Sequence, residues 1–217
     1  MTKIRLAVLA LLGVGFVWGA AFVLMKDAIK QQPYMDFLAT RFTVAFLAML
    51  ILRPRVSLKI EKGDVSYGAL LGVVLALGYI TQTIGLELTT AATSGFLTGL
   101  YVVFTPLIAW LVMRQSVAKR VIAGVVIALA GLAVFSGAAT DVEFQLGQIW
   151  LVACAVFYAI HILLLGKHGK GRSAYRFAML QIGWMAVVTW GFAIVDGYQP
   201  PPNAEAVSYT HLRAHET

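Results

Sequence analysis

The stretch YGALLGVVLALGYITQTIGLE, residues 67–87, decides the fold. Its only charge is the terminal Glu87, and the rest is apolar, glycine or small polar residues. A helix crossing the hydrocarbon core of a bilayer needs roughly 20 mostly apolar residues, so this stretch predicts a membrane span. Gly68 and Gly72 lie four residues apart, one above the other on a helix face. Such a face brings two backbones close, which is how helices associate in lipid, where apolarity alone gives no attraction.

Six further stretches meet the same criterion: 6–26, 34–53, 93–113, 120–138, 147–165 and 175–195. Across all 217 residues, 60% are hydrophobic and 12% charged, with a mean hydropathy of +0.82. A soluble domain carries about a quarter charged residues, so these are too few to cover a water-facing surface. The class predicted is an all-α polytopic membrane protein with lipid as its solvent. The first span follows Lys3 and Arg5 but outruns the apolar region of a signal peptide, so it reads as an uncleaved helix. The lone Cys154 excludes an internal disulfide and reads as a small buried hydrophobe.

The net charge of +7 raises the question of nucleic acid. Lys3 and Arg5; Arg53, Arg55, Lys59 and Lys62; Arg114, Lys119 and Arg120; and Lys167, Lys170, Arg172 and Arg176 fall in alternate connections. The opposite connections hold Asp27, Asp36, Glu87, Asp141, Glu143 and Asp196, with Lys26 and Lys30 as their cations. By the positive-inside rule this alternation places the N-terminus in the cytoplasm. The charge is then a topology signal, and no nucleic-acid partner is expected.

A shift of 140 residues superposes Trp18 on Tyr158, Phe37 on Phe177 and Arg41 on Gln181, with Lys26 one place short of Lys167. The matches pair spans one and six, then two and seven. Five spans per copy is an odd number, so the second copy enters the membrane from the other side. Inverted repeats of this kind are common in secondary transporters, with the solute site near the midplane between them.

Several motifs carry a family resemblance. Trp18-Gly19-Ala20-Ala21-Phe22 ending at Lys26, the Arg41-Phe42 pair, and Gly78-Tyr79-Ile80-Thr81-Gln82-Thr83-Ile84-Gly85-Leu86 resemble the first three helices of the EamA-type drug/metabolite transporters. Thr93-Ser94-Gly95-Phe96-Leu97-Thr98-Gly99-Leu100, followed by Phe104-Thr105-Pro106-Leu107, is similar to that family's fourth helix. The resemblance covers residues 6–195. It implies ten helices in two five-helix repeats, in the bacterial inner membrane, exporting or carrying amino acids, amines or related metabolites. On that pattern residues 1–138 form the first repeat and 139–206 begin the second, with spans eight to ten lacking. Residues 207–217, from Val207 to Thr217, are polar and follow Pro200, Pro201 and Pro202. They resemble a reading frame of a sequencing-library adapter and are expected to be a non-native tail on a truncated chain.

Arg41 is the sharpest candidate for solute binding. It lies seven residues after Tyr34, about 10 Å into its span. A cation there costs roughly 2.5–3.5 kcal/mol on insertion scales, so it needs a partner or a watery cavity. It reads as a counter-ion for a substrate carboxylate, as a gate residue paired with Glu87 or Asp36, or as a side chain snorkelling to the headgroups. Trp18, Tyr79, Gln82, Thr98, Tyr101, Tyr158, His161 and Gln181 are the other candidate solute-binding residues, since small-solute pockets set aromatic walls around a few hydrogen-bonding groups. Lys26 and Glu87, at the outer ends of spans one and three, are candidate outer gates. Gly68 and Gly72, Gly95 and Gly99, and Gly124 and Ala128 read as packing faces, and Pro106 as a bend that frees a carbonyl.

An enzyme reading pairs Ser94 with His161 as the dyad of an intramembrane protease. Ala92-Thr93-Ser94-Gly95 lacks a glycine two before the serine, and Ser94 lies at the outer helix end. A membrane scaffold without transport is the third reading. Phosphate-binding glycine loops and zinc motifs are not found in the sequence, so no metal and no cofactor is expected. The expected mechanism is rocking of one repeat against the other around a cavity from spans one, three, four and six. Protons or solute exchange would drive it, and a homodimer is the expected assembly if there is one.

Overall fold

The computed structural model describes residues 2–112, 114, 118–137 and 146–201. The elements are α1 (Thr2–Ala28), α2 (Tyr34–Leu52), α3 (Pro54–Ser57), α4 (Asp64–Leu88), α5 (Ala91–Thr98), α6 (Tyr101–Leu111), α7 (Lys119–Gly137), α8 (Leu146–His168) and α9 (Ala174–Asp196). Among the described residues there is no strand. Helices α1, α2, α4, α8 and α9, and α5 with α6 taken together, are long and apolar enough to cross a membrane. The chain is an all-α polytopic membrane protein. The remaining expected span, 120–138, coincides with α7. Asp141, Glu143 and the expected tail, 207–217, lie outside the described residues.

Helix α4 is the hub, and its glycines explain why. A β-carbon at Gly72 would stand 2.7 Å from the Gln181 carbonyl oxygen and 2.6 Å from Trp184 Cβ, both on α9. At Gly68 it would meet Leu180 of the same helix at 3.0 Å. At Gly85 it would meet Leu151 at 2.6 Å and the Gly147 carbonyl oxygen at 2.8 Å, on α8. One pair of glycines therefore seats α9 and another position seats α8. Close approach of this kind substitutes dispersion contact for the hydrophobic drive that lipid removes. The expected packing role holds at Gly68 and Gly72. Gly95 faces Phe22 of α1 at ordinary contact, 3.6 Å, and Gly124 meets nothing within 4 Å.

These contacts also fix direction. Gly85 opposes Gly147 while Gly78 opposes Tyr158, so α4 and α8 run antiparallel. Gly183 of α9 packs on Phe46, Trp190 reaches Thr43, and Tyr198 beyond it reaches Thr40, so α2 and α9 are antiparallel too. Lys26, near the end of α1, meets the end of α4, so those two helices run the same way.

The central core joins Phe22, Met25, Phe37, Leu38, Phe42, Ile80, Leu86 and Met185 from α1, α2, α4 and α9. By contrast Leu6, Leu9, Leu12 and Phe16 of α1 are exposed, as suits side chains that face lipid tails. The fourth span is divided into α5 and α6. Helix α6 continues through Pro106, and the interruption falls at Gly99 and Leu100. There the hydrogen bonds tighten, with Leu100 N donating to Leu97 O and Val102 N to Gly99 O, both at 3.1 Å. Pro106 removes a single bond, to the Val102 carbonyl one turn back, and that loss alone does not end a helix packed along its length.

Candidate functional site

Trp18, Ala21, Phe22 and Met25 share one face of α1, at the 3–4-residue spacing of a helical stripe. Opposite them stand Arg41 on α2 and Tyr79 and Gln82 on α4, and together they line a narrow cleft between the three helices. Arg41 is half-buried. Its Nη1 donates to Met25 Sδ at 3.1 Å, and its guanidinium lies 5.6 Å from the Tyr79 ring centre and 5.9 Å from that of Phe42. These are cation–π distances, in which ring faces compensate part of the charge. None of the ion pairs among the described residues includes Arg41.

The expected pairing of Arg41 with Asp36 or Glu87 is therefore corrected. Asp36 is buried and accepts the Gln199 backbone N–H at 2.9 Å, which ties the chain beyond α9 to the start of α2. Glu87 is exposed. Lys26 meets α4 through its backbone: its ammonium donates to the carbonyls of Leu86, Glu87 and Thr89 at 2.6–2.8 Å. A cation on the last carbonyls of a helix satisfies acceptors that have no intrahelical donor.

Behind Arg41 the polar candidates form a chain. Gln82 is 1% exposed. Its Nε2 donates to Thr98 Oγ1 at 3.4 Å, and its Oε1 accepts from the Tyr158 hydroxyl at 3.3 Å. The Tyr158 ring meets Tyr79 and Tyr101 edge to face, with centroids 5.6 and 6.3 Å apart. Spans one, two, three, four and six thus bring Trp18, Arg41, Tyr79, Gln82, Thr98, Tyr101 and Tyr158 into one connected region. His161 and Gln181 form a separate pair, His161 Nε2 to Gln181 Oε1 at 2.7 Å, across α8 and α9. Gln181 also donates to the Phe177 carbonyl of its own helix at 3.1 Å. Ser94 and His161 have separate partners, since the Ser94 hydroxyl donates to the Thr90 carbonyl at 2.9 Å.

A charged cluster at the other end of α4 was not among the expected sites. Glu61-Lys62-Gly63-Asp64 makes a turn in which Asp64 N donates to Glu61 O at 3.0 Å. Gly63 sits at φ +82°, the left-handed third position that a type II turn reserves for glycine. The turn aims Asp64, 1% exposed, at two arginines from the α8–α9 region. Asp64 Oδ1 pairs with Arg172 Nη1, and Asp64 Oδ2 accepts from Arg176 Nε at 2.6 Å. Arg176 Nη2 lies 2.7 Å from Glu61 Oε1, close enough for charge attraction but off the direction of a hydrogen bond. Arg172 also covers the Tyr67 ring at 5.0 Å, and His168 stacks on that ring at 4.3 Å. A signal for the cluster existed in the sequence: Glu61 and Asp64 are the acids that stand among the basic connections.

Sequence comparison assigns a family to these apolar spans. Residues 5–137 match the EamA-like transporter family. The chain belongs to that family. An uncharacterized transporter of Archaeoglobus fulgidus is 32% identical over 181 residues, 83% of this chain and 56% of its own length. The uncharacterized transporter YvbV of Bacillus subtilis is 26% identical over 187 residues, 84% of this chain and 59% of its own. The chain thus spans little more than half the length of the curated relatives it matches. Its helices and its match over residues 5–137 make it a multi-pass membrane protein of a transporter family, and the cleft around Arg41 is the candidate site.

Proposed function

We propose that the chain supplies the first five-helix repeat and the opening helices of a second in a secondary carrier of small metabolites such as amino acids or amines. The carrier works by alternating access, exporting or exchanging its solute across the bacterial inner membrane, with the N-terminus in the cytoplasm and protons or a counter-solute as the drive. The antiparallel run of α2 against α9, paired by the 140-residue offset, supports an inverted repeat. So does the direction of α8, opposite to α4 and hence to α1.

The observation that carries the solute site is Arg41: a half-buried cation whose company is a thioether and two rings, with no acid paired to it among the described residues. A carboxylate entering the cleft would give that charge its strongest partner, while Trp18, Phe22 and Tyr79 offer apolar contact and Gln82 an amide. The test is uptake of labelled amino acids and amines by the intact carrier in liposomes. Arg41→Gln removes one charge-assisted contact, about 1.5–3 kcal/mol, so transport efficiency for anionic solutes should fall at least about tenfold. Membrane insertion should stay unchanged. Unaltered kinetics in Arg41→Gln would leave that residue a snorkelling side chain, and no accumulation of any small metabolite would overturn the carrier reading.

A further inference from the structure

We propose that Asp64, with Arg172, Arg176 and Glu61, is a latch that closes the basic end of the bundle and opens when the carrier changes face. The inference rests on the alternating-access reading and assigns the gate at the end away from Lys26. Four features support it. The ion pairs join segments 108 and 112 residues apart in sequence, the start of α4 and the start of α9 with the turn before it. The central pair is almost dry, with the Asp64 and Arg176 side chains 1% and 4% exposed, while Arg172 and Glu61 reach the surface at 18% and 55%. Directly above them the α4–α9 seam runs over Gly68 and Gly72, a close backbone contact on which the two helices can pivot. Finally, the opposite end is tied mainly by other means: Asp36 to the Gln199 N–H, Gln32 to the Gln199 carbonyl at 2.9 Å, and Thr40 to Tyr198 at 3.0 Å.

The energetics suit a gate. A buried ion pair gains strong mutual attraction but gives up the hydration of both partners, and the two nearly cancel. Closed, the cluster orients α4 against α9. Opened to water, each group regains its hydration, so the exchange needs little net free energy. Opening toward lipid is closed off, since bare charges there are costly. Alternating access requires such an element at each end of the solute site. Deleting the central carboxylate leaves Glu61 as the one acid facing two guanidinium groups, which biases the cluster toward the hydrated, open arrangement.

The test uses spin-label pairs in the 217-residue chain in lipid nanodiscs, with Cys154→Ser to remove the native thiol. One pair, Lys62→Cys with Lys170→Cys, reports the basic end, and another, Gln31→Cys with Asp196→Cys, reports the opposite end; all four positions are exposed. Asp64→Asn should add a second basic-end population longer by about one helix diameter, roughly 10 Å, while the opposite pair stays unchanged. Arg172→Gln, which removes one ion pair at an 18% exposed side chain, should produce the same shift at smaller amplitude and serves if Asp64→Asn does not fold. An unchanged basic-end distance in the folded variants would make the cluster a static tie and overturn the proposal. Lengthening of both pairs together would mean general loosening and would overturn it equally. No solute enters this measurement, so its failure is distinct from failure of the uptake experiment.

Discussion

Arg41 and Arg176 are both guanidinium groups on membrane-crossing helices, and their surroundings differ in kind. Arg176 is met by Asp64 and Glu61, whereas Arg41 is met by Met25, Phe42 and Tyr79. Acids consume a cation's capacity for charge-assisted bonds, and ring faces consume only part of it. The first arrangement is suited to joining helices. The second leaves a charge that a solute can still satisfy.

The largest expected effect tests that contrast through stability. Asp64→Ala leaves Arg172 and Arg176 without the carboxylate they share, and should cost more stability than any other change considered. Arg41→Gln gives up cation–π contacts worth about 1 kcal/mol. Unfolding of both variants in mixed micelles should show the gap. Equal losses would mean that Arg41 holds the fold together as firmly as Arg176 does, and the cleft would lose its claim to a free charge. Next in size is Lys26→Met, which removes the donor for three carbonyls at the end of α4. It should cost about 1 kcal/mol and raise amide exchange at Leu86–Leu88; unchanged exchange there would mean that Lys26 does not hold that helix end. The smallest effect belongs to His161 and Gln181. A double-mutant cycle with His161→Leu and Gln181→Leu should give a coupling near 0.6 kcal/mol, about the average for interhelical hydrogen bonds in membranes. A coupling of several kcal/mol would move this pair from packing to the functional centre.

The fold was largely legible because spans are set by local composition over about 20 residues, a property that needs no tertiary contact. Gly68 and Gly72 announced a packing face for the same reason: spacing alone puts them on one side of a helix. Pro106 was legible as a helix-interior proline, whereas the interruption at Gly99 and Leu100 was not among the expectations. The site was legible in part. Trp18, Arg41, Tyr79 and Gln82 do share a cleft, yet the partners of Arg41 could not be assigned from its sequence surroundings. Arg172 and Arg176 were counted as topology charges, and their attachment to Asp64 depends on how α9 settles against α4.

The sequence by itself determined that this is a multi-spanning helical membrane protein, with charges sorted between alternate connections and motifs of the EamA-like transporters. Those features follow from which residues lipid tolerates and where. The tertiary structure alone decided which cation is held and which is left with rings for company. Charge partners are chosen by helix packing between residues more than 100 positions apart, and that distance is closed only when the α4 glycines let α8 and α9 come into contact.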